Sequence, residues 1–114
     1  MMSVVLYHNP KCSTSRNALA LLREQGVEPT VVEYLQTGWD RETLERLASR
    51  IGLGLSGLLR RKEAEAKALL DAGADDTAIL AAAIAQPILI ERPIVETDKG
   101  AVIGRPVEQV LAVL

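Results

Sequence analysis

The sequence predicts one α/β domain, a mixed sheet flanked by helices in the order βαβ, helices, ββα. Three observations carry this expectation. Two short β-branched runs near the N-terminus stand on either side of a single helical pattern, within the roughly 30 residues of a βαβ unit. The stretch from Trp39 to Ala85 holds no convincing strand pattern. Beyond it the chain returns to two short β runs around a glycine-containing turn and closes on one more helix.

Taken in order, Ser3-Val4-Val5-Leu6-Tyr7 is apolar and β-branched and reads as a strand, ended by Asn9-Pro10. A helix is expected to begin near Thr14, since Ser13 and Thr14 are N-cap residues. Ala18, Leu19, Leu21 and Leu22 then recur at helical spacing until Gly26. After the Glu28-Pro29 break, Val31-Val32-Glu33-Tyr34 is the next strand, parallel to the first in a right-handed crossover. Asp40 begins an amphipathic helix with Leu44, Leu47 and Ile51 on one face. Further helical segments are expected from Ser56, Glu63 and Thr77, the last entered through the Asp75-Asp76 cap and running through the alanine-rich Ala78 to Ala85. Together these form a helical insertion at about residues 40–86 within a single domain, 1–114. Pro93 to Thr97 and Ala101 to Ile103 then make a hairpin, with Asp98-Lys99-Gly100 as a three-residue turn. Pro106 opens the last helix, Val107 to Leu114, at its first position.

Composition limits what such a chain does. With 114 residues, 48% hydrophobic and 25% charged, it suits one ordinary globular domain. The net charge is -2 and no block of five like charges occurs, which argues against a nucleic-acid partner and leaves small, locally held anions. The N-terminus lacks a basic segment followed by a long apolar one. The most apolar stretch, AILAAAIAQPILI, is interrupted at Gln86-Pro87, short of the roughly 20 residues of a membrane span. A cytoplasmic protein with no membrane association is therefore expected. The single cysteine, Cys12, forms no intrachain disulfide and suits a reducing compartment.

Cys12 is a candidate nucleophile. Immediately before a helix, free backbone N–H groups and the positive end of the helix dipole favour the thiolate. The other reading is an inert packing cysteine, against which the polar loop Pro10-Lys11-Cys12-Ser13 speaks. His8, the only histidine, would support the thiolate as a cation, or else is an exposed strand-end residue with no role. Arg92 and Arg105 each precede a proline, and the hairpin turn lies midway between them, so they face one another across the two strands. Two adjacent guanidiniums repel and thus point to an anion between them; the alternative is an ordinary ion pair with Glu91 or Glu108. Arg60 and Arg61, in LLRRKEAEAK, read plainly as a solvated helix face. No metal-ligand cluster and no phosphate-loop pattern is present in the sequence.

Four motifs in order, Y-H-N-P-K-C-S-T-S-R-N, L-L-R-R-K, E-R-P-I-V and G-R-P-V-E-Q-V-L, resemble the glutaredoxin-linked arsenate reductase family across essentially the whole chain. The G-R-P ending is similar to a less characterised branch, and Ser13 stands where the best-known members have glycine. The resemblance implies a thioredoxin-like fold with a helical insertion. It implies Cys12 as nucleophile, His8 as the histidine that favours its thiolate and Ser15 as a further catalytic residue, with Arg16 continuing the loop into the helix. It makes Arg60, Arg92 and Arg105 the three oxyanion-binding arginines, and Pro93 the cis-proline beside the thiol. The implied reaction is reduction of arsenate, or a similar small oxyanion, to arsenite. Glutathione is the thiol co-substrate, glutaredoxin the partner, and no cofactor or metal is bound. With no second cysteine, external thiols become a requirement. Two other functions stay open: a general monothiol, glutathione-dependent oxidoreductase, and an Spx-type regulatory binding protein. The latter usually carries C-x-x-C, where this chain has Ser15 as the second position.

Overall fold

A computed structural model of the chain describes residues 3–114. In chain order it contains strand β1 (Val4–Tyr7), helix α1 (Ser13–Glu24), strand β2 (Thr30–Val32), the short helix α2 (Tyr34–Thr37), helices α3 (Arg41–Ile51), α4 (Ala64–Asp71) and α5 (Asp76–Ala85), and strands β3 (Ile94–Thr97) and β4 (Gly100–Ile103). Three 3-10 segments complete it, Ser56–Leu58, Pro87–Leu89 and Val107–Val113. The backbone divides into two compact units. One consists of the described residues up to Thr37 together with Arg92–Leu114; the other is Gly38–Glu91. Residues 1 and 2 of the expected 1–114 domain lie outside the described residues.

The first unit is built on a four-stranded sheet of order β2-β1-β3-β4. Strand β1 runs parallel to β2, with Leu6 opposite Val31, and antiparallel to β3, with Leu6 opposite Val95. Strands β3 and β4 pair antiparallel. This is the mixed sheet expected, in thioredoxin-like topology. Alternation along the strands turns Val4, Leu6 and Val95 to one face, where Ala18 and Leu22 of α1 and Val110 and Val113 of the C-terminal segment cover them. Helix α1 stops at Gly26 (φ 77), where the N–H groups of Gly26 and Val27 reach back to the carbonyls of Arg23 and Leu22, both at 3.0 Å. Val27 also packs on the apolar cluster, so the helix end is fixed twice. Leu22 is fully buried at this junction. Leu22→Ala is expected to lower the unfolding free energy by about 3 kcal/mol, read from urea unfolding at unchanged slope.

Several expected boundaries move, each for a local reason. Strand β2 ends at Val32, because the Glu33 carbonyl accepts the N–H groups of Gln36 (2.9 Å) and Thr37 (3.1 Å), which starts a helical turn with Tyr34 buried inside it. The hairpin connection is two residues, not three: Gly100 pairs with Thr97 as part of β4. The Thr97 hydroxyl accepts the Lys99 N–H at 3.0 Å and holds that turn, while Gly100 (φ 152) takes a backbone that favours glycine. Pro106 is the cap of the last segment rather than its first helical residue, and the segment is 3-10, with Gln109 N–H bonded to the Pro106 carbonyl at 3.0 Å. Helix α1 begins at Ser13, so Cys12 itself takes the cap position expected of Ser13 or Thr14. The Arg92–Pro93 bond is cis, and so is Arg105–Pro106, which the sequence reading did not anticipate.

The second unit is helical. Asp40 caps α3 by accepting the Thr43 N–H at 2.7 Å, Leu44, Leu47 and Ala48 are buried, and Gly52 (φ 85) ends the helix. Asp75 likewise caps α5, accepting the Ala78 N–H at 2.9 Å, so that helix begins at Asp76 rather than Thr77. The segment expected from Ser56 is a single 3-10 turn. Beyond it the backbone extends: Leu59 bridges Ile90, the Arg60 N–H meets the Leu89 carbonyl at 2.7 Å, and the Glu91 N–H meets the Leu58 carbonyl at 2.7 Å. Leu59 is buried in an extended backbone (φ -71, ψ 135), directly before Arg60. Arg60 therefore does not lie on a solvated helix face. Among the described residues no helix is long and apolar enough to cross a membrane.

Candidate active site

Cys12 caps α1 with an extended backbone (φ -96, ψ 123). The loop that presents it is built by Asn9, which the sequence reading used only to end the first strand. Its side-chain Oδ1 accepts the Lys11 N–H at 3.0 Å, its carbonyl accepts the Cys12 N–H at 3.0 Å, and its own N–H donates to Ser15 Oγ at 3.0 Å. The signal was present in N-P-x-C, since Asn readily turns the chain through its side chain two residues on. Arg16 secures the same loop from α1, donating to the Pro10 carbonyl at 2.9 Å.

Cys12 is half-buried. Burial is the largest single influence on its thiol and opposes ionisation. The Ser15 backbone N–H, hydrogen bonding and charge from Arg92, and charge from Arg105 together outweigh it, so the thiol is more acidic than an ordinary cysteine. The sulfur closes no capping bond of ordinary geometry, yet the Ser15 N–H, third in the helix, favours the thiolate.

The two arginines arrive through the hairpin. Ile94 faces Ile103, and continuing that register outward sets Arg92 against Arg105. They do not stand as two bare guanidiniums. Arg105 donates from Nε to the Arg92 carbonyl at 2.7 Å and from Nη2 to Cys12 Sγ at 3.4 Å. Both guanidiniums thus act on the Cys12 sulfur and favour its ionised form, and Arg92 is itself buried. Glu91, one of the ion-pair partners considered for them, holds Arg60.

His8 departs from both readings of the sequence. It is only 6% exposed, so it is no idle surface residue. Nor is it a ready cation: burial, the largest influence, lowers its pKa, the charge of Glu33 opposes that by less, and the charge of Arg16 adds a smaller lowering. Its Nδ1 lies 2.6 Å from Ser15 Oγ, and Ser15 is fully buried. The structure therefore brings Cys12, His8, Ser15, Arg92 and Arg105 together in the first unit, which also holds the cis-bonded Pro93. Arg60 belongs to the helical unit, where its guanidinium is ion-paired to Glu91 (2.9 Å) and to Glu63 (3.8 Å). Among the described residues no three His, Cys, Asp or Glu side chains gather as they would around a metal ion.

Comparison with known proteins follows these features. The model of the ArsC family matches residues 7–113. An arsenate reductase of Rhizobium meliloti (strain 1021) is 43% identical over 115 residues, covering 99% of this chain and 82% of that one. The uncharacterized protein YfgD of Escherichia coli (strain K12) is 46% identical over 114 residues, covering 97% and 96%. The solved structure of an arsenate reductase from Vibrio cholerae superposes with a TM-score of 0.91 at 49% identity, covering 99% of this chain and 98% of that one.

Proposed function

Since the chain belongs to the ArsC family, we propose that it is an arsenate reductase, with Cys12 as nucleophile and glutathione and glutaredoxin as its reductants. The observation that carries this reading is the sulfur itself, at a helix start and 3.4 Å from Arg105 Nη2, with its ionisation favoured by the Ser15 N–H, Arg92 and Arg105.

The mechanism follows from those groups. A thiolate meets arsenate on the side of two guanidiniums, whose charge offsets the repulsion between two anions. Sulfur bonds to arsenic as an oxygen leaves as water, so arsenic stays pentavalent in the adduct. A glutathione thiolate then attacks Cys12 sulfur. The sulfur–arsenic electron pair passes to arsenic, which becomes trivalent and departs as arsenite, and a Cys12–glutathione disulfide remains. Glutaredoxin resolves that disulfide, because the chain has no other cysteine to do so. In this reading Arg60 is the third oxyanion arginine, as the resemblance implies, and the reducing cytoplasm supplies the thiols.

The test is the complete cycle. Pure protein with arsenate, glutathione, glutaredoxin and an NADPH-coupled regenerating system is expected to consume NADPH only when arsenate is present. No arsenate-dependent loss, with glutaredoxin active in a control, removes the proposal. A pull-down that recovers RNA polymerase would turn the assignment toward the regulatory class.

A further inference from the structure

We propose that His8 serves as a neutral hydrogen-bonding anchor for Ser15, and that it supports the Cys12 thiolate through the position of Ser15 rather than through a positive charge. This rests on Cys12 being the nucleophile, and not on arsenate being the substrate.

The geometry is a closed arrangement of three residues. Ser15 Oγ accepts the Asn9 N–H at 3.0 Å and lies 2.6 Å from His8 Nδ1. His8 and Asn9 stand at the end of β1, whereas Ser15 is the third residue of α1. The two bonds therefore tie the helix start to the strand end across the Pro10–Cys12 loop. Ser15 also carries the N–H that favours the thiolate, so whatever fixes Ser15 fixes that donor. His8 is buried, and Ser15 Oγ is neutral and cannot compensate an imidazolium charge. Of the charged groups that act on the ring, Arg16 stands beside Ser15 on α1 and opposes a charge, while Glu33 beyond β2 favours it less than burial disfavours it. A neutral ring loses nothing here, because the bond to Ser15 needs one proton shared between the two side chains.

The single cysteine makes the test direct. Alkylation of the full chain by iodoacetamide reports Cys12 alone, and its rate against pH gives the thiolate midpoint. In His8→Asn the amide offers a neutral hydrogen-bonding group near the place of Nδ1. Its midpoint is expected to stay within about 0.3 unit of the wild type. His8→Leu and Ser15→Ala, which each break the bond, are expected to raise the midpoint by about one unit. The double variant His8→Leu/Ser15→Ala is expected to rise no further than either alone, because the two act through one contact.

A charge-based role gives the opposite pattern: His8→Asn moves as far as His8→Leu, and the double variant adds the two shifts. Either result overturns the proposal, as does His8→Leu with an unmoved midpoint. Near-UV circular dichroism reports whether each variant folds. If His8→Leu does not, His8→Asn decides alone, an unmoved midpoint supporting the anchor and a one-unit rise overturning it. No arsenate or glutathione enters the measurement. A negative coupled assay therefore leaves this inference standing, and its failure leaves the coupled assay untouched.

Discussion

Cys12→Ser is expected to abolish arsenate-dependent NADPH oxidation, by about three orders of magnitude or more, while retaining the fold. The reason lies in what surrounds the sulfur. Burial opposes a charge there, and the Ser15 N–H, Arg92 and Arg105 reverse that opposition for a thiol, whose ordinary pKa lies only about two units above neutrality. A serine hydroxyl starts many units higher, out of reach of the same donors. His8 Nδ1 does not supply the base that would be needed to activate it, because it is engaged with Ser15. The coupled assay with active glutaredoxin, run beside near-UV circular dichroism of the variant, checks both halves. Retained turnover in a folded Cys12→Ser protein would remove the whole scheme.

The same depressed thiol sets a sign for stability. An acid whose pKa is lower folded than unfolded binds more protons in the unfolded state between the two values. Folding stability therefore rises with pH through that interval, is complete above the unfolded thiol value, and is lost as pH falls through the folded one. Cys12→Ser has no such titration. The difference in stability between wild type and variant is accordingly expected to move toward the wild type as pH rises, which denaturant unfolding at several pH values reads directly.

How much of this was legible in the sequence depends on the distance over which each feature is determined. The strand that ends before Asn9-Pro10, the caps at Asp40 and Asp75 and the stop at Gly26 are set by neighbouring residues, and they lie where the sequence puts them to within a residue or two. The opposition of Arg92 and Arg105 was legible too, because the midpoint between them falls at Asp98-Lys99, the two residues that make the turn, and a hairpin register propagates outward from its turn. What failed was nonlocal. Leu59–Arg60 looks helical in isolation, but Leu59 becomes extended by bridging Ile90, about thirty residues away. His8 reads as a strand-end cation until burial is known, and burial is a property of the whole fold. The part Asn9 plays in building the loop was overlooked for a different reason. Its function is to shape backbone, which leaves no reactive group to notice.

Arg105→Lys is expected to weaken oxyanion protection of Cys12 almost as much as Arg105→Ala, about ten- to a hundredfold. Arg105 makes two contacts at once in different directions, Nε to the Arg92 carbonyl at 2.7 Å and Nη2 to the sulfur at 3.4 Å. The first bond fixes the plane of the guanidinium against the neighbouring strand, and the second places its charge on Cys12. A lysine brings one donor-bearing atom on a freely turning stem. It cannot hold the planar fork that meets the carbonyl and the sulfur from two separate nitrogens, and the orientation is lost even where the charge is kept. The measurement is the concentration of sulfate or arsenate that halves the alkylation rate of Cys12, compared among wild type, Arg105→Lys and Arg105→Ala. Protection in the wild type is what separates an oxyanion site from a general glutathione-dependent thiol, which needs no place for a tetrahedral anion. If Arg105→Lys protects as well as the wild type, charge alone suffices and the paired geometry of Arg105 has no part in holding the substrate.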